Sequence, residues 1–221
     1  MVEPRSIVRE ILEYIGIKGI VAGGALRDIV LDRQPKDYDV FLFKKMWLDE
    51  ITSKHGIFDT IPKRVEYPKH YGSFEIWNTT LHGEVVQIIW SPAFEPVRKI
   101  ENFLQEADHL TGQEIVDRFP FTVNMIYADH RRKIYIQPRA REALRGRKLI
   151  YNVGCVPPHP RGELIVKTML KRAFYLAAKL NWTLPMSTID TICAKHYYVD
   201  ELSNREWTKE EGILDATFPM F

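Results

Sequence analysis

The stretch from residue 18 to residue 43, KGIVAGGALRDIVLDRQPKDYDVFLF, decides the fold that the sequence predicts. An apolar run at 17–22 has the length of a buried strand, and apolar residues recur with helical spacing over 25–30. Pro35 ends that helix, because proline restricts the residue before it. A second apolar run at 38–43 predicts another strand. The stretch therefore predicts a strand, a helix and a second strand.

Two features of this stretch are typical of phosphate and metal chemistry. Gly23 and Gly24 lie between the first strand and the helix, where glycine lets a ligand approach the backbone and the helix start attracts an anion. Asp37 and Asp39 are two positions apart on a strand, so their carboxylates face one side of the sheet. Oxygen ligands of this kind suit Mg²⁺ held together with substrate phosphates. Taken singly, a Gly-Gly is usually a turn and an Asp-x-Asp is usually solvent-facing.

The combination of these features resembles a known superfamily. The order strand, Gly-Gly, helix, proline and Asp-x-Asp strand, with 13 positions from Gly24 to Asp37, resembles the polymerase-β-type nucleotidyltransferases. Within them, GGALRD followed by PKDYDV is most similar to the head domain of class II tRNA CCA-adding enzymes and bacterial poly(A) polymerases. The resemblance implies an α/β (α+β) fold, with a small mixed-sheet head at 1–153 and a helical neck-like segment and C-terminal tail at 154–221.

The resemblance also implies an activity. It predicts a Mg²⁺-dependent enzyme that transfers a nucleoside monophosphate from ATP or CTP to a hydroxyl, with release of pyrophosphate. Asp37 and Asp39 are expected to be catalytic and to hold two metal ions. Asp28 is expected to orient Arg27 or the nucleotide, or else to be a carboxylate stabilised by the helix dipole. The nucleotide-binding residues that the resemblance implies are Gly23, Gly24, Arg27, Asp28, Arg118, Asn124 and Arg172.

A hairpin is predicted after an irregular segment. Residues 57–71 are expected to form a solvated loop, with contact to a nucleic acid or triphosphate as the alternative for Lys63 and its basic neighbours. Strands at 72–78 and 84–90 follow, joined by a turn at 79–83.

The second strand of this hairpin departs from the pattern of the enzymes it resembles. Those enzymes carry a third metal-binding carboxylate at a position that is Gln87 here, and an amide oxygen can bind a metal but has no charge. Glu84 is an odd number of positions away and faces the opposite side of a regular strand. Glu75, on the partner strand, remains open as a substitute.

Two later segments are also similar to parts of these enzymes. Residues 117–127, DRFPFTVNMIY, resemble a segment that contacts the sugar of the nucleotide, with Arg118 and Asn124 at matching positions and with Phe119 and Pro120 in place of an arginine and an aspartate. A buried amide that satisfies backbone groups is an equal interpretation of Asn124. Residues 163–185 predict a long helix similar to the first neck helix, in which Arg172 matches an arginine. The base-selecting motif of the later neck helix has no clean copy, so the nucleotide preference stays open.

A basic run predicts an RNA partner. Eight basic residues and one acidic residue lie between residues 131 and 148. Such a run is usually a solvated face, but near a phosphate-handling site it favours contact with an RNA backbone. The acceptor is accordingly expected to be an RNA 3′ end, with tRNA implied by the resemblance. The predicted RNA-binding residues are Arg131, Arg132, Lys133, Arg139, Arg141, Arg145 and Arg147.

Composition restricts the alternatives. With 45% hydrophobic and 27% charged residues the chain is typical of globular proteins, and its apolar runs are too short for a membrane span. Two cysteines without disulfide or zinc spacing favour a cytoplasmic setting. Two other functions stay open: a nucleotidyltransferase that modifies a protein or small molecule, and a non-catalytic nucleotide- or RNA-binding relative in which Gln87 marks lost chemistry.

Overall fold

The computed structural model describes residues 2–65, 74–94, 110–152 and 162–203. The chain forms two compact units. The first consists of Met1–Asp117 and Asn124–Gln137, and the second of Arg118–Val123 and Pro138–Phe221. The predicted boundary between residues 153 and 154 and most of the predicted tail lie outside the described residues. That division stays a prediction.

The first unit is built on a mixed sheet. Its strands, as far as the chain is described, are β1 (Gly19–Ala22), β2 (Asp37–Leu42), β3 (Lys63–Val65), β4 (Glu75–Leu81), β5 (Glu84–Trp90), β6 (Ile126–Ala128) and β7 (Ile134–Ile136). Their order is β3-β4-β5-β2-β1-β6-β7. Strands β2 and β5 are parallel, whereas the other neighbouring pairs are antiparallel. The predicted α/β fold with a small mixed sheet is confirmed.

The helices of the first unit, within the described residues, are α1 (Pro4–Ile15), α2 (Gly24–Val30), α3 (Lys45–Thr52) and α4 (Gly112–Val116). Pro4 begins α1, and Gly16, with φ of 56°, ends it. The apolar stripe of α1 is buried and packs on β1.

The two faces of the sheet have different roles. On β2, Tyr38, Val40 and Leu42 point to one face, and Asp37 and Asp39 to the other. Val40 pairs with Val21, and Val21 pairs with Ala128, so the three side chains share one face of the sheet. Ala128 lines a cavity of about 520 Å³ together with residues of α1 and α2. These two helices therefore cover the Val40 face, and the carboxylates lie on the opposite one.

The hairpin differs from its prediction. Its turn is only two residues, His82 and Gly83, with φ of 53° and 79°. Because positive φ at both positions matches the twist of the flanking strands, β4 continues to Leu81 and the predicted turn at 79–83 was too wide. The predicted loop at 57–71 was also wrong in part, since Lys63–Val65 forms the edge strand β3. The part of this loop from residue 66 onward lies outside the described residues.

The second unit is helical. It contains α5 (Pro138–Gly146), α6 (Gly162–Leu180) and α7 (Met186–Ser203), and α6 packs against α7. Helix α6 ends at Leu180, five residues before Pro185, and the residue that follows it, Asn181, has φ of 55°. Within the described residues, no helix combines the length and apolarity that crossing a membrane requires.

Candidate active site

A glycine corner joins β1 to α2. Gly23 has φ of 85° and ψ of −132°, a conformation that only glycine adopts without strain. Its N–H donates to the carbonyl oxygen of Ile126 at 2.9 Å. The N–H of Gly24 is the first of the helix and has no partner within it. Of the two glycine amides, the one that the corner can offer to a ligand is therefore that of Gly24.

A buried polar cluster lies directly behind this corner. Arg27, Asp28 and Asn124 are at most 4% exposed. The guanidinium Nε and Nη2 of Arg27 donate to Asp28 Oδ1 at 2.8 and 2.7 Å, and Nη1 donates to Asn124 Oδ1 at 2.8 Å. A Cβ atom on Gly24 would lie 3.7 and 3.9 Å from the two Nη atoms. Asp28 thus orients Arg27, and Asn124 is a buried amide that binds a side chain.

The two carboxylates lie next to the glycine corner. Asp39 is 1% exposed and pairs with Ala22, the residue that precedes Gly23. Asp37, two positions earlier, is half-buried on the same face. Tyr38 between them is fully buried on the opposite face, where burial raises the pKa of its phenol and keeps it protonated. The phenol of Tyr38 is therefore absent from the face that presents the two carboxylates.

Gln87 completes the polar surface around Asp39. Asp39 and Gln87 are partners in the parallel β2–β5 pair, so their side chains point to the same face. Gln87 is 9% exposed, and its Oε1 is buried and accepts no hydrogen bond from the described part of the chain. An orphaned amide oxygen beside two carboxylates fits a hard cation such as Mg²⁺. The described residues contain no group of three or more His, Cys, Asp or Glu side chains placed to hold a metal.

Neither nearby glutamate replaces the missing carboxylate. Glu84 lies on the opposite face of β5 and accepts a hydrogen bond from Gln34 at 3.3 Å. Glu75 pairs with Trp90, which also places it on the face opposite Gln87, and its carboxylate binds Lys45 Nζ at 2.8 Å. The substitution by Glu75 that the sequence left open is therefore excluded by register and by its ion pair.

The remaining predicted residues are divided between the units. Arg118 is exposed and Arg172 is half-buried on α6, and both belong to the second unit. The predicted RNA-binding residues are exposed in both units: Arg131, Arg132 and Lys133 in the β6–β7 hairpin of the first, and Arg139, Arg141, Arg145 and Arg147 on or just after α5 in the second.

Sequence reasoning missed Asn78. Asn78 pairs with Gln87 across the β4–β5 hairpin and so points to the face of Asp39. Its Oδ1 is buried and accepts no hydrogen bond within the described residues. The signal was present in the sequence: recognising His82 and Gly83 as a two-residue turn pairs position 81 with 84 and hence 78 with 87.

Comparison with known proteins identifies the fold. No family model matches the chain, and no curated protein matches it. Among solved structures, the Thermotoga maritima CCA-adding enzyme complexed with tRNA matches with a TM-score of 0.57 and 14% identity over 88% of this chain and 42% of its own. The Bacillus stearothermophilus CCA-adding enzyme in complex with CTP matches with a TM-score of 0.54 and 18% identity over 88% and 44%. This chain has the fold of tRNA nucleotidyltransferases.

A third match agrees with these two. A tRNA nucleotidyltransferase complexed with a primer tRNA and an incoming ATP analogue has a TM-score of 0.54 and 16% identity, over 87% of this chain and 51% of its own. The chain spans about half of the length of the enzymes it matches. The predicted resemblance to the head and neck of CCA-adding enzymes is confirmed at the level of the fold.

Proposed function

We propose that this chain is a Mg²⁺-dependent nucleotidyltransferase that transfers a nucleoside monophosphate from ATP or CTP to the hydroxyl at an RNA 3′ end. The observation that carries the proposal is the placement of Asp37 and Asp39 on one face of β2, next to the Gly23–Gly24 corner. A phosphate-binding corner and a carboxylate pair on adjacent strands are what a reaction between a triphosphate and a hydroxyl requires.

Each part of the site has a role in this reaction. The hydroxyl releases its proton to solvent and its oxygen forms a bond to the α-phosphorus, while the bond from that phosphorus to the bridging oxygen breaks and pyrophosphate leaves. Asp37 and Asp39 would hold Mg²⁺, which activates the hydroxyl and neutralises charge on the phosphates when bound. The Gly24 amide and the guanidinium of Arg27 behind it would bind the triphosphate, and Asp28 and Asn124 keep that guanidinium in place.

The RNA acceptor is supported by charge and by the matched structures. All seven predicted RNA-binding residues are exposed, so their charges are accessible to a phosphate backbone. The matched enzymes were solved with tRNA, with CTP or with an ATP analogue. For this chain, the tRNA acceptor and the choice between ATP and CTP are proposals.

Labelled nucleotides test the function directly. Purified protein is incubated with Mg²⁺, each α-labelled NTP in turn, total cellular RNA and protein extract. We expect label on tRNA-sized RNA from one or two of the NTPs. Label on protein instead would replace the RNA acceptor by a protein acceptor, and absence of label from every fraction would contradict the transfer function.

Substitution of Asp37 tests whether the transfer activity depends on the candidate site. We expect Asp37→Ala to reduce transfer by at least about 100-fold, because a metal in such a site supplies several kcal/mol of charge stabilisation. Asp49→Ala is the matched control, since Asp49 is an exposed aspartate of α3 outside the site. Circular dichroism verifies that both variants fold. Equal rates for both folded variants would rule out the proposed catalytic role of Asp37.

A binding function without catalysis is the second candidate, and Gln87 is the observation that favours it. If the neutral amide has removed the chemistry, the wild-type protein binds NTP without transferring label. Gln87→Glu would then add the missing charge and gain transfer activity. Activity of the wild-type protein contradicts this second candidate.

A further inference from the structure

A polar row crosses the sheet from the candidate site to its edge. Asp39 of β2 pairs with Gln87 of β5, Gln87 with Asn78 of β4, and Asn78 with Lys63 of β3. Directly paired residues point to the same face, so these four side chains share the carboxylate face. With strands about 4.8 Å apart, Lys63 lies on the order of 14 Å from Asp39 between Cα atoms.

The middle of the polar row is short of hydrogen-bond donors. Gln87 Oε1 and Asn78 Oδ1 are both buried, and neither accepts a hydrogen bond from the described residues. Buried polar atoms are nearly always hydrogen-bonded in folded proteins. A cation held at Asp37 and Asp39 would account for Gln87 Oε1, and the orphan that remains is Asn78 Oδ1. This atom therefore indicates that a ligand supplies a hydrogen-bond donor here.

The end of the polar row carries an exposed positive charge. Lys63 is exposed, and no ion pair with another described residue holds its ammonium group. Arg64, the next residue on the same strand, is equally exposed but pairs with Trp77 and so points to the opposite face. The two residues share charge, strand and exposure, and differ in the face to which they point.

The geometry of in-line transfer places the acceptor on the β5 side of Asp39. The attacking and leaving oxygens lie on opposite sides of the phosphorus. If the leaving phosphates occupy the glycine corner on the β1 side of Asp39, the acceptor approaches from the β5 side. Gln87, Asn78 and Lys63 are on that side.

We propose that Asn78 and Lys63 form the acceptor subsite, in which Asn78 Oδ1 accepts a hydrogen bond from a ribose hydroxyl and Lys63 binds a phosphate of a single-stranded RNA end. This assignment rests on the proposed function for the position of the reacting phosphorus. An exposed lysine on an edge strand also discourages pairing with another chain. Protection of the edge strand applies to Arg64 as much as to Lys63, whereas RNA binding on the carboxylate face applies to Lys63 alone. A comparison of substitutions at the two residues therefore separates RNA binding from edge protection.

Equilibrium binding of a short fluorescein-labelled oligoribonucleotide, without NTP, tests Lys63. We expect Lys63→Gln to weaken binding several-fold and to reduce the slope of log K against log salt by about 0.7, the value for one phosphate contact in a single strand. Arg64→Gln is the matched control and should leave both quantities at the wild-type values. Equal effects of the two substitutions would overturn the role of Lys63.

A change in the sugar tests Asn78. The 2′-hydroxyl donates and accepts hydrogen bonds, so we expect wild-type protein to bind an oligonucleotide with a terminal ribose more tightly than one with a terminal 2′-deoxyribose. Asn78→Ala should abolish this preference. If the alanine variant does not fold, Asn78→Leu is used instead, because leucine keeps the branched shape of the side chain without its polar atoms. A preference that persists in the folded variant overturns the role of Asn78.

These measurements separate the acceptor subsite from the proposed function. Transfer activity combined with identical oligonucleotide binding by the Lys63→Gln and Arg64→Gln variants retains the function and rejects the subsite. Lys63-dependent and ribose-dependent binding by a protein that transfers no label rejects the function and retains the subsite as an RNA-binding surface.

Discussion

A single backbone conformation shapes the corner between β1 and α2. Gly23 has a positive φ of 85°, whereas Gly24 is not among the residues with positive φ. We expect Gly23→Ala to lower the free energy of unfolding by about 1–3 kcal/mol, because an L-residue is strained there. Gly24→Ala should change it by less than about 0.5 kcal/mol, because the added Cβ makes ordinary contacts of 3.7 and 3.9 Å. Urea denaturation of both variants measures the difference. Equal losses in the free energy of unfolding would contradict backbone strain at position 23.

The ion pair behind the corner makes a second prediction at this scale. Asp28→Leu leaves the buried guanidinium of Arg27 without its counter-charge, which costs about 3–5 kcal/mol in comparable sites. Replacing both residues, Arg27→Met with Asp28→Leu, removes the uncompensated charge and should be less destabilising than Asp28→Leu alone. Denaturant midpoints of the single and double variants measure this. A double variant less stable than the single one would show that the charge is not what destabilises Asp28→Leu.

Neighbouring residues were more predictable than distant ones. The sequence offered the orientation of Arg27 by Asp28 as one of three interpretations, and the two residues are adjacent in the chain. The bond from Arg27 to Asn124 joins residues 97 positions apart, and local patterns contain no information about it. The resemblance placed Asn124 near the nucleotide, and the structure adds that its partner is the guanidinium.

At the scale of elements, the β4–β5 turn is held by a distant carboxylate. Asp59 accepts hydrogen bonds from the N–H groups of His82 and Gly83 at 3.2 and 2.9 Å. The bond from Gly83, followed by those from Thr80 and His82, lowers the pKa of Asp59 below 3.8. The stabilisation is therefore present above pH 3.8 and is lost as pH falls through the lowered pKa of the folded state.

This turn gives a prediction about pH. We expect Asp59→Asn to lower the melting temperature at neutral pH, because a neutral amide makes weaker hydrogen bonds to the two backbone N–H groups. The difference from wild type should shrink as pH falls below 3.8, since protonation removes the same charge from the wild-type protein. Thermal unfolding of both proteins over this pH range measures it. A difference that stays constant down to the lowest pH would contradict the role of the charge.

Element length explains which elements were predictable. The apolar runs of β2 and β5 extend over enough positions for a period to be read, and both strands lie within one residue of where the sequence placed them. Strand β3 has three residues, two of them exposed and basic, and its pairing with β4 is what makes it a strand. The register that follows from the two-residue turn brings Asn78 and Lys63 into line with Asp39.

At the scale of the whole molecule, the basic run is one segment of sequence that lies in two structural units. In the first unit, Arg132 binds Glu13 at 3.1 Å, which partly neutralises that group. On α5, Arg141 and Arg145 are exposed one turn apart. Like charges at this spacing repel each other, so a bound polyanion would relieve a cost that the helix otherwise carries. The arginines on or just after α5 (Arg139, Arg141, Arg145 and Arg147), called the α5 group, are therefore the stronger candidates for RNA contact.

Salt dependence of RNA binding tests this ranking. Substituting the four α5-group arginines by glutamine (Arg139, Arg141, Arg145 and Arg147) should reduce the slope of log K against log salt by about 3, at 0.7–0.9 per phosphate contact. Substituting Arg131, Arg132 and Lys133 should reduce it by less per lost charge, because one of them is already paired. Arg5→Gln with Lys54→Gln is the control for net charge, since both residues are exposed in the first unit and outside either group. The same loss per charge in all three variants would mean that RNA responds to the overall charge of the protein, and the predicted contacts on α5 would be wrong.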